Sequence, residues 1–226
     1  MIKEIFELLR RENQLKQAFE RSREMLSEDH EMFEEAVRSL RERDDARLAI
    51  DVYAKDQMIN AYEREVRRKV LTHLVVAGKR DLNAGLILVS VIIDIERIGD
   101  YTKNIVELAL HHPERLDCGP FEEDTRRIET TVRTMFRLLI ESLPGNDEDK
   151  AREVMSEHWW ISKKVDDIIK ALLTPGNAPL SSRDSVTTAL YVRYLKRISA
   201  HLKNVASSVV NPFDQIGYRR DGSEDE

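Results

Sequence analysis

A twelve-residue segment in the middle of the chain recurs in outline about a hundred residues later. The first copy spans residues 94–105 and the second spans residues 194–205. Each copy has an Arg-Ile pair, followed six residues after the isoleucine by Asn and a β-branched residue. Internal self-similarity of this kind indicates a duplicated structural unit. The chain is therefore predicted to fold as two closely packed, related halves.

The composition predicts that both halves are helical. Only 8 glycines and 6 prolines occur among 226 residues, and 35% of the residues are charged, many of them the helix-favouring Glu, Lys and Arg. Apolar residues recur at helical spacing over residues 1–42, beginning with Ile5, Leu8 and Leu9. Long helices joined by short turns pack as antiparallel neighbours. We therefore predict an all-α fold with two tandem three-helix bundles, in which the helices run up, down and up.

Glycine, proline and capping residues divide the chain into segments. Helix ends are predicted near residue 77, at Pro113, at Pro144-Gly145 and at Pro212. Helix starts are predicted at side chains that favour a cap or a first turn, namely Asp44 and Asp45, Asp81, Asn146 or Asp147, and Ser182. A bend or a fresh start is also predicted at Ser27-Glu28-Asp29. The resulting units are a first repeat with an N-terminal helix extension over residues 1–112, a linker over 113–120, a second repeat over 121–212 and a disordered charged tail over 213–226.

Charge and cysteine content argue against several classes of protein. The 36 basic and 42 acidic residues give a net charge of −6, which argues against a nucleic-acid binder that works by neutralising phosphates. The single cysteine, Cys118, cannot form an intramolecular disulfide and fits a reducing compartment. We find no signal-peptide core at the N-terminus and no run of the ~20 apolar residues that a membrane span needs. We therefore expect a soluble, cytoplasmic protein.

Acidic residues on two successive helices form the strongest candidate site. Glu96 and Asp100 lie four residues apart and so share one helix face, beside the apolar stripe rather than within it. The preceding helix offers Asp56, Asn60 and Glu63. In a hairpin that turns at Gly78, Asp56 lies 22 residues before the turn and Asp100 lies 22 after it, which predicts similar heights. Oxygen donors without His or Cys suit hard cations such as Fe(III), Mn, Mg or Ca.

A purely structural interpretation of the same acids stays open. Asp100 could pair with Lys103 or Asn104, and Asp56 could be solvated. The second half has Lys196 and Ala200 where the first has Glu96 and Asp100, so no cation site is predicted there. The pair Trp159-Trp160 is assigned to the core and to an interface. We find no phosphate-binding loop, no nucleophile motif and no Glu-x-x-His motif.

These motifs resemble the PhoU family of phosphate-uptake regulators, over about residues 13–211. The resemblance depends on the segment from Asp94 to Glu107, on its fainter counterpart from Arg193 to Ala206, and on Asp56-Gln-Met-Ile-Asn60. It implies a cytoplasmic, all-α, non-enzymatic adaptor that is often a homodimer. Such adaptors restrain phosphate uptake together with a phosphate transporter, either an ABC-type ATPase or another permease, and a sensor histidine kinase. Contact with the membrane would be indirect, through the partner.

The resemblance also implies which residues hold a metal, because some members bind iron or other metal clusters through paired acidic motifs. By position, the ligands would be Asp56, Asn60, Glu96 and Asp100. Asn60 is a neutral, weaker ligand, so the cluster of the first repeat is expected to be weakened or optional. The second repeat keeps only Glu157 near the matching segment, followed four residues later by Ile161, so we expect no cluster there.

Two functions from other classes stay open beside the regulatory adaptor. One is a metalloprotein with hydrolytic or redox activity at the face formed by Asp56, Glu96 and Asp100, although the sequence supplies no clear base. The other is a scaffold that dimerises or docks a partner through Trp159-Trp160.

Overall fold

The computed structural model describes residues 14–218, except residues 46, 113, 175, 177 and 178. The predicted helix extension with Ile5, Leu8 and Leu9, the helix stop at Pro113 and most of the charged tail lie outside the described residues.

Six long helices form the described chain, as predicted for an all-α fold. The first three are α1 (Gln14–Arg41), α2 (Val52–Ala77) and α3 (Leu82–His111). The other three are α4 (Glu122–Gly145), α5 (Glu148–Leu173) and α6 (Ser182–Val210). Short 3₁₀ turns cover Gly78–Asp81, Gly119–Phe121 and Phe213–Gln215. Each set of three packs as a bundle, and a continuous apolar core runs through both.

The start of α2 corrects the prediction at Asp44 and Asp45. Those residues lie in the connection after α1, and α2 begins only after Asp51, whose side chain accepts a hydrogen bond from the backbone N–H of Ala54 at 2.9 Å. Asp44 instead accepts from the backbone N–H of Arg115 at 3.1 Å. The Asp44 carboxylate thus binds a segment about 70 residues away, and a capping rule that considers only neighbouring residues does not predict this contact.

The other predicted helix starts agree with the structure in position. Asp81 lies at the N-cap position of α3 as predicted, but its side chain makes no capping hydrogen bond, because its carboxylate meets the ring of His73 on α2 at 2.6 Å. Helix α6 begins at Ser182 as predicted, and its capping side chain is that of Ser181, which accepts from the backbone N–H of Asp184 at 3.1 Å. The capping role of Asp147 at α5 is confirmed.

Helix α1 runs through Ser27-Glu28-Asp29 without a break, so the predicted fresh start is wrong. The Ser27 hydroxyl donates to the carbonyl oxygen of Arg23 at 3.1 Å, so it caps no new helix. Asp29 faces the core and is fully buried. The apolar residues on either side, Met25, Leu26, Met32 and Phe33, are also fully buried, and their packing holds the helix continuous.

Contacts between α3 and α6, and between α1 and α4, join the two bundles. The connecting segment after residue 113 takes part in this packing. The backbone N–H of Leu116 donates to the carbonyl oxygen of Leu40 at 2.9 Å, and the side chains of Leu116 and Cys118 are fully buried. Burial raises the pKa of the Cys118 thiol, which disfavours the reactive thiolate. The connection is thus part of the core.

Candidate functional site

The acidic face of the first repeat lies between α2 and α3. Lys103 on α3 donates to Asp56 on α2 at 2.9 Å and lies 3.5 Å from Asp100. One ammonium group therefore contacts the two carboxylates that the sequence placed at equal heights around the Gly78 turn. Burial alone would lower the pKa of Lys103, but the bond to Asp56 and the charge of Asp100 raise it overall, so the group stays protonated.

Arg97 is the second cation of this face. Its guanidinium lies 3.0 Å from Asp100 and 3.6 Å from Glu96. Burial, and then the nearby charge of Asp100, raise the pKa of Glu96 above its usual range. Glu96 is thus the least compensated carboxylate of the predicted set. Asn60 is half-buried on α2 and makes no side-chain hydrogen bond within the described part of the chain.

Asp29 on α1 is a third acidic contribution, and sequence reasoning missed it. The side chain is fully buried, and no described group donates a hydrogen bond to either carboxylate oxygen. Burial, and then the charges of Glu96 and Asp56, raise its pKa well above the usual range. The sequence does carry a signal for this residue, because Asp29 lies within the apolar stripe of α1, although the pattern Ser27-Glu28-Asp29 predicts a helix cap there.

Gly99 lets α3 approach the buried acid. A Cβ atom at position 99 would lie 2.8 Å from Oδ1 of Asp29, closer than real Cβ contacts allow. The glycine in the motif from Asp94 to Ile105 is therefore explained by close packing against a carboxyl group on another helix. It marks the point where the core meets the acidic face.

The fit of a metal ion to this face is incomplete in the described geometry. The weakly compensated Glu96 favours a bound cation, and Asp29 would add a negative charge once it lost the proton that burial holds on it. Against this, Lys103 lies between Asp56 and Asp100, where a metal would have to bind. Across residues 14–218, apart from the five omitted ones, no three His, Cys, Asp or Glu side chains lie together so as to hold a metal ion.

The second repeat has no acidic layer at the matching place. Sequence matching of Met32-Phe33 with Met135-Phe136 puts Val132 at the position of Asp29. Lys196 donates to both carboxylate oxygens of Asp166 at 2.8 Å, and Ala200 replaces Asp100.

A histidine and a serine form the polar layer of the second repeat instead. Ser199 takes the place of Gly99, and its hydroxyl contacts Nδ1 of His158 at 3.0 Å. Burial, and then the positive charges of Lys203 and Lys196, lower the pKa of His158 to about 4. The ring is therefore neutral at pH 7, so this layer carries no counterpart to the carboxylates of the first repeat.

The two copies of the repeated motif contact each other between α3 and α6. Oδ1 of Asp94 lies 2.8 Å from Nδ1 of His201 and accepts from the amide of Asn204 at 2.8 Å. Arg197 donates through Nε to the hydroxyl of Tyr101 at 3.1 Å, and that ring stacks on His201 with centroids 5.7 Å apart. Part of the repeated pattern therefore serves to join the halves.

The tryptophan pair is engaged within the second repeat. The guanidinium of Arg127 lies 4.3 Å from the ring centroid of Trp160, and the ammonium of Lys203 lies 5.1 Å from that of Trp159. Trp160 also packs on the core while partly buried. The assignment of these rings to the core is thus supported for Trp160, and the interface remains a prediction.

No described helix combines the length and the apolar character needed to cross a membrane.

Comparison with known families gives a match in each bundle. A family model described as the PhoU domain matches residues 22–109 and again residues 125–209. Together these stretches cover most of the chain, one for each set of three helices.

Comparison with single proteins gives more distant similarities. The phosphate-specific transport system accessory protein PhoU homolog of Pseudomonas putida is 27% identical over 179 residues, which is 78% of this chain and 70% of the relative. The homolog of Caulobacter vibrioides is 24% identical over 170 residues, or 74% of each chain.

Two crystal structures share the fold. PhoU from Pseudomonas aeruginosa superposes with a TM-score of 0.78 at 22% identity, covering 87% of this chain and 95% of that one. The phosphate transport system regulatory protein PhoU from Streptococcus pneumoniae gives a TM-score of 0.75 at 17% identity, covering 87% and 93%.

Proposed function

The chain belongs to the PhoU family, and from this membership we propose that it is a negative regulator of phosphate transport and phosphate homeostasis. It acts without enzymatic activity, in the cytoplasm, as an adaptor on a phosphate transporter, on the sensor kinase of that transporter, or on both. The transporter is an ABC-type ATPase or another permease. The adaptor reaches the membrane only through this partner, and it works as a homodimer.

The observation that carries the proposal is the match of the family model to both three-helix repeats. The two relatives described above, which align over about three quarters of this chain, are named as accessory proteins of a phosphate-specific transport system. The long bundles also suit an adaptor, since they expose extended charged helix faces on which a partner can dock.

Regulation by docking needs a difference in affinity between two states of the partner. A bundle that binds both states equally shifts neither, however tightly it binds. We therefore propose that the inactive state of the transporter or kinase binds this chain more tightly than the active state.

Affinity capture tests the adaptor role. The tagged chain is expressed at its native level in cells grown with abundant phosphate, and co-purified proteins are identified by mass spectrometry. We expect a phosphate-transporter component or its kinase, and we expect deletion of the chain to raise phosphate uptake. Recovery of neither partner, together with unchanged uptake in the deletion strain, would overturn the proposal.

Light scattering of the purified chain tests the homodimer, which a monomeric mass would refute.

We also propose that the acidic face of the first repeat binds iron or another hard cation, such as Mn, Mg or Ca, and that the second repeat binds none. Oxygen ligands from Asp56, Asn60, Glu96 and Asp100 would hold the ion. When bound, it would supply positive charge that ties α2 to α3, in place of the ammonium of Lys103. The unpaired carboxyl of Asp29 behind this face supports the proposal.

Metal analysis of the purified chain and calorimetric titration with Mn²⁺ test this site. The double variant Glu96→Ala/Asp100→Ala should lose the binding, whereas Asp166→Ala in the second repeat should keep it. Equal binding by both variants would exclude the acidic face as the metal site.

Hydrolytic or redox chemistry at this face would also need a positioned base, and no observation favours such chemistry. A phosphatase and oxidase screen of the same samples tests it.

A further inference from the structure

A cavity of about 360 Å³ lies where the end of α1, the connecting segment and α4 meet. Four arginines line it, two glutamates and a threonine complete its wall, and they come from all three segments. The arginines are Arg41, Arg115, Arg126 and Arg133. The chain as a whole carries a net charge of −6, so a concentration of guanidinium groups in one concavity calls for a physical explanation.

Arg41 is the buried arginine of the cavity wall, and each of its three side-chain nitrogens donates a hydrogen bond. Its Nε donates to Glu129 at 2.7 Å, its Nη2 donates to Glu122 at 2.8 Å, and its Nη1 donates to the carbonyl oxygen of Leu116. Glu129 also accepts from the hydroxyl of Tyr191 at 3.0 Å. This buried network neutralises the carboxylate of Glu129, so that glutamate does not repel an anion in the cavity.

The other three arginines keep donors available. Nε of Arg126 bonds to Glu122 at 2.6 Å, and Nε of Arg133 lies 3.1 Å from both oxygens of Glu34. In both residues the inner nitrogen is engaged, which orients the guanidinium and leaves the terminal N–H groups for other partners. The nearest further acid to Arg133 is Glu42, at 3.7 Å.

Arg115 is the least engaged of the set. Its backbone N–H is fixed by Asp44 at 3.1 Å, which holds the segment in place. Its side chain is exposed and forms no ion pair with any residue that the structure describes. A guanidinium anchored at its backbone and free at its tip can close over a ligand in the cavity.

We propose that this cavity binds a phosphate group. Guanidinium groups present paired N–H donors that match the oxygens of a phosphate, and they bind it through strong, charge-assisted hydrogen bonds. The wall holds four arginines and two glutamates, and Glu34 and Glu122 pair from outside the wall with Nε of Arg133 and of Arg126. The attraction for a phosphate therefore comes from Arg115 and from the terminal N–H groups that these bonds leave. The volume falls in the range of small-ligand sites, roughly 300–1,000 Å³, so a phosphate monoester fits as well as the free ion. The inference depends on the cavity alone and goes beyond the adaptor role, which can hold or fail without it.

Calorimetric titration of the full chain with inorganic phosphate and with AMP, at constant ionic strength, tests the site. We expect saturable binding of at least one of the two. Arg115→Ala and Arg126→Ala should each weaken it about tenfold or more, as expected for a lost charge-assisted hydrogen bond. The matched control is Arg137→Ala, since Arg137 is an exposed α4 residue paired with Glu141 outside the cavity; its affinity should be unchanged. Thermal unfolding of each variant confirms that the fold is intact.

The two ligands separate the sources of the phosphate group. Tighter binding of inorganic phosphate assigns the site to the free ion, and tighter binding of AMP assigns it to a phosphate monoester. The absence of saturable binding for both ligands would overturn the inference. So would undiminished binding by the double variant Arg115→Ala/Arg126→Ala, or an equal loss in Arg137→Ala, because either result would place the ligand elsewhere or in a diffuse ion atmosphere.

Discussion

The two repeats share an apolar framework and differ in the polar layer inside it. Ile98 and Ile198 occupy matching positions, and both are fully buried. Beside them, the first repeat places Gly99 against the carboxyl of Asp29, whereas the second places Ser199 against the ring of His158. The helices tolerate either layer because apolar contacts on the remaining faces hold the bundle.

The same contrast extends to the surface between the second and third helices of each repeat. In the first, Lys103 and Arg97 partly neutralise a group of carboxylates. In the second, Lys196 pairs with Asp166, and no acidic pair corresponds to Glu96 and Asp100. The duplicated framework therefore has the same packing in both copies, while the acidic pair occurs in the first copy alone.

The first prediction has the largest expected effect on stability, and it tests whether the two repeats unfold together. Arg41→Ala should lower the free energy of unfolding by roughly 3–5 kcal/mol, because it leaves Glu129 as a buried charge without its partner. Chemical denaturation monitored by circular dichroism measures the loss. The control Arg152→Ala removes an exposed pair with Glu148 and should cost no more than about 1 kcal/mol. If Arg41→Ala produced two separate transitions, the repeats would be independent units.

The second prediction uses the neutral histidine of the second repeat. The folded-state pKa of His158 is about 4, below the value of about 6.5 for an unfolded chain. Between these values the unfolded chain binds the additional proton, so stability falls as the pH drops from about 6.5 to 4, by about 3 kcal/mol in all. His158→Asn should flatten this part of the profile, while exposed His111→Asn should leave it unchanged. A His158→Asn profile that matched the parent would place the acid sensitivity elsewhere.

The third prediction concerns the close approach in the first repeat. Gly99→Ala should destabilise the chain by about 1–2 kcal/mol, because its Cβ would press on Oδ1 of Asp29. In the double variant Asp29→Ala/Gly99→Ala the additional cost of the alanine at 99 should disappear. Denaturation of the two single variants and the double variant supplies the cycle. Additive costs would show that the carboxyl group is not what requires glycine.

The fourth prediction concerns the pH dependence of stability in the first repeat, which is opposite in direction to that expected from His158. The folded-state pKa of Asp29 is raised, so the native state keeps a proton that the unfolded chain has lost. Stability therefore falls as the pH rises from about 3.9 through the raised pKa, with a slope of at most about 1.4 kcal/mol per pH unit for one proton. Asp29→Asn should remove that slope and be more stable than the parent at neutral pH. Equal stability of Asp29→Asn and the parent at neutral pH would contradict the burial argument.

The fifth prediction has the smallest expected effect and compares metal binding at the Lys103 face of the first repeat with that at the Lys196 face of the second. If Lys103 competes with a metal ion, Lys103→Ala should raise the affinity of the first repeat for Mn²⁺ about tenfold, or about 1.4 kcal/mol. Lys196→Ala should create no new binding, because Ala200 and Val132 offer no oxygen ligands. Calorimetric titration of both variants compares them. Unchanged affinity in Lys103→Ala would exclude competition by its ammonium.

Much of the fold and the position of the acidic face could be predicted from local pattern. The spacing around Gly78 placed Asp56 and Asp100 at one height, and a shared contact with Lys103 confirms it. The partner of a capping side chain was less predictable, as Asp44 and Asp81 show, because a carboxylate that fits a cap can instead bind a group from another segment. Asp29 lies in a segment whose pattern fits a helix cap, and only the packing of whole helices shows that it is a buried acid.

The sequence by itself determined the helical class, the duplication and the ends of most helices, because these depend on periodicity and on Gly, Pro and capping residues that act over a few positions. Only the tertiary structure decided that Asp29 lies behind the acidic face, that Asp94 joins His201 and Asn204 between the halves, and that four arginines line one cavity. Many such contacts join residues that lie far apart in the chain, as with Arg41 and the carbonyl oxygen of Leu116, 75 positions apart, or Asp94 and Asn204, 110 positions apart. Which polar groups meet is fixed by how whole helices pack, and a one-dimensional pattern does not contain that information.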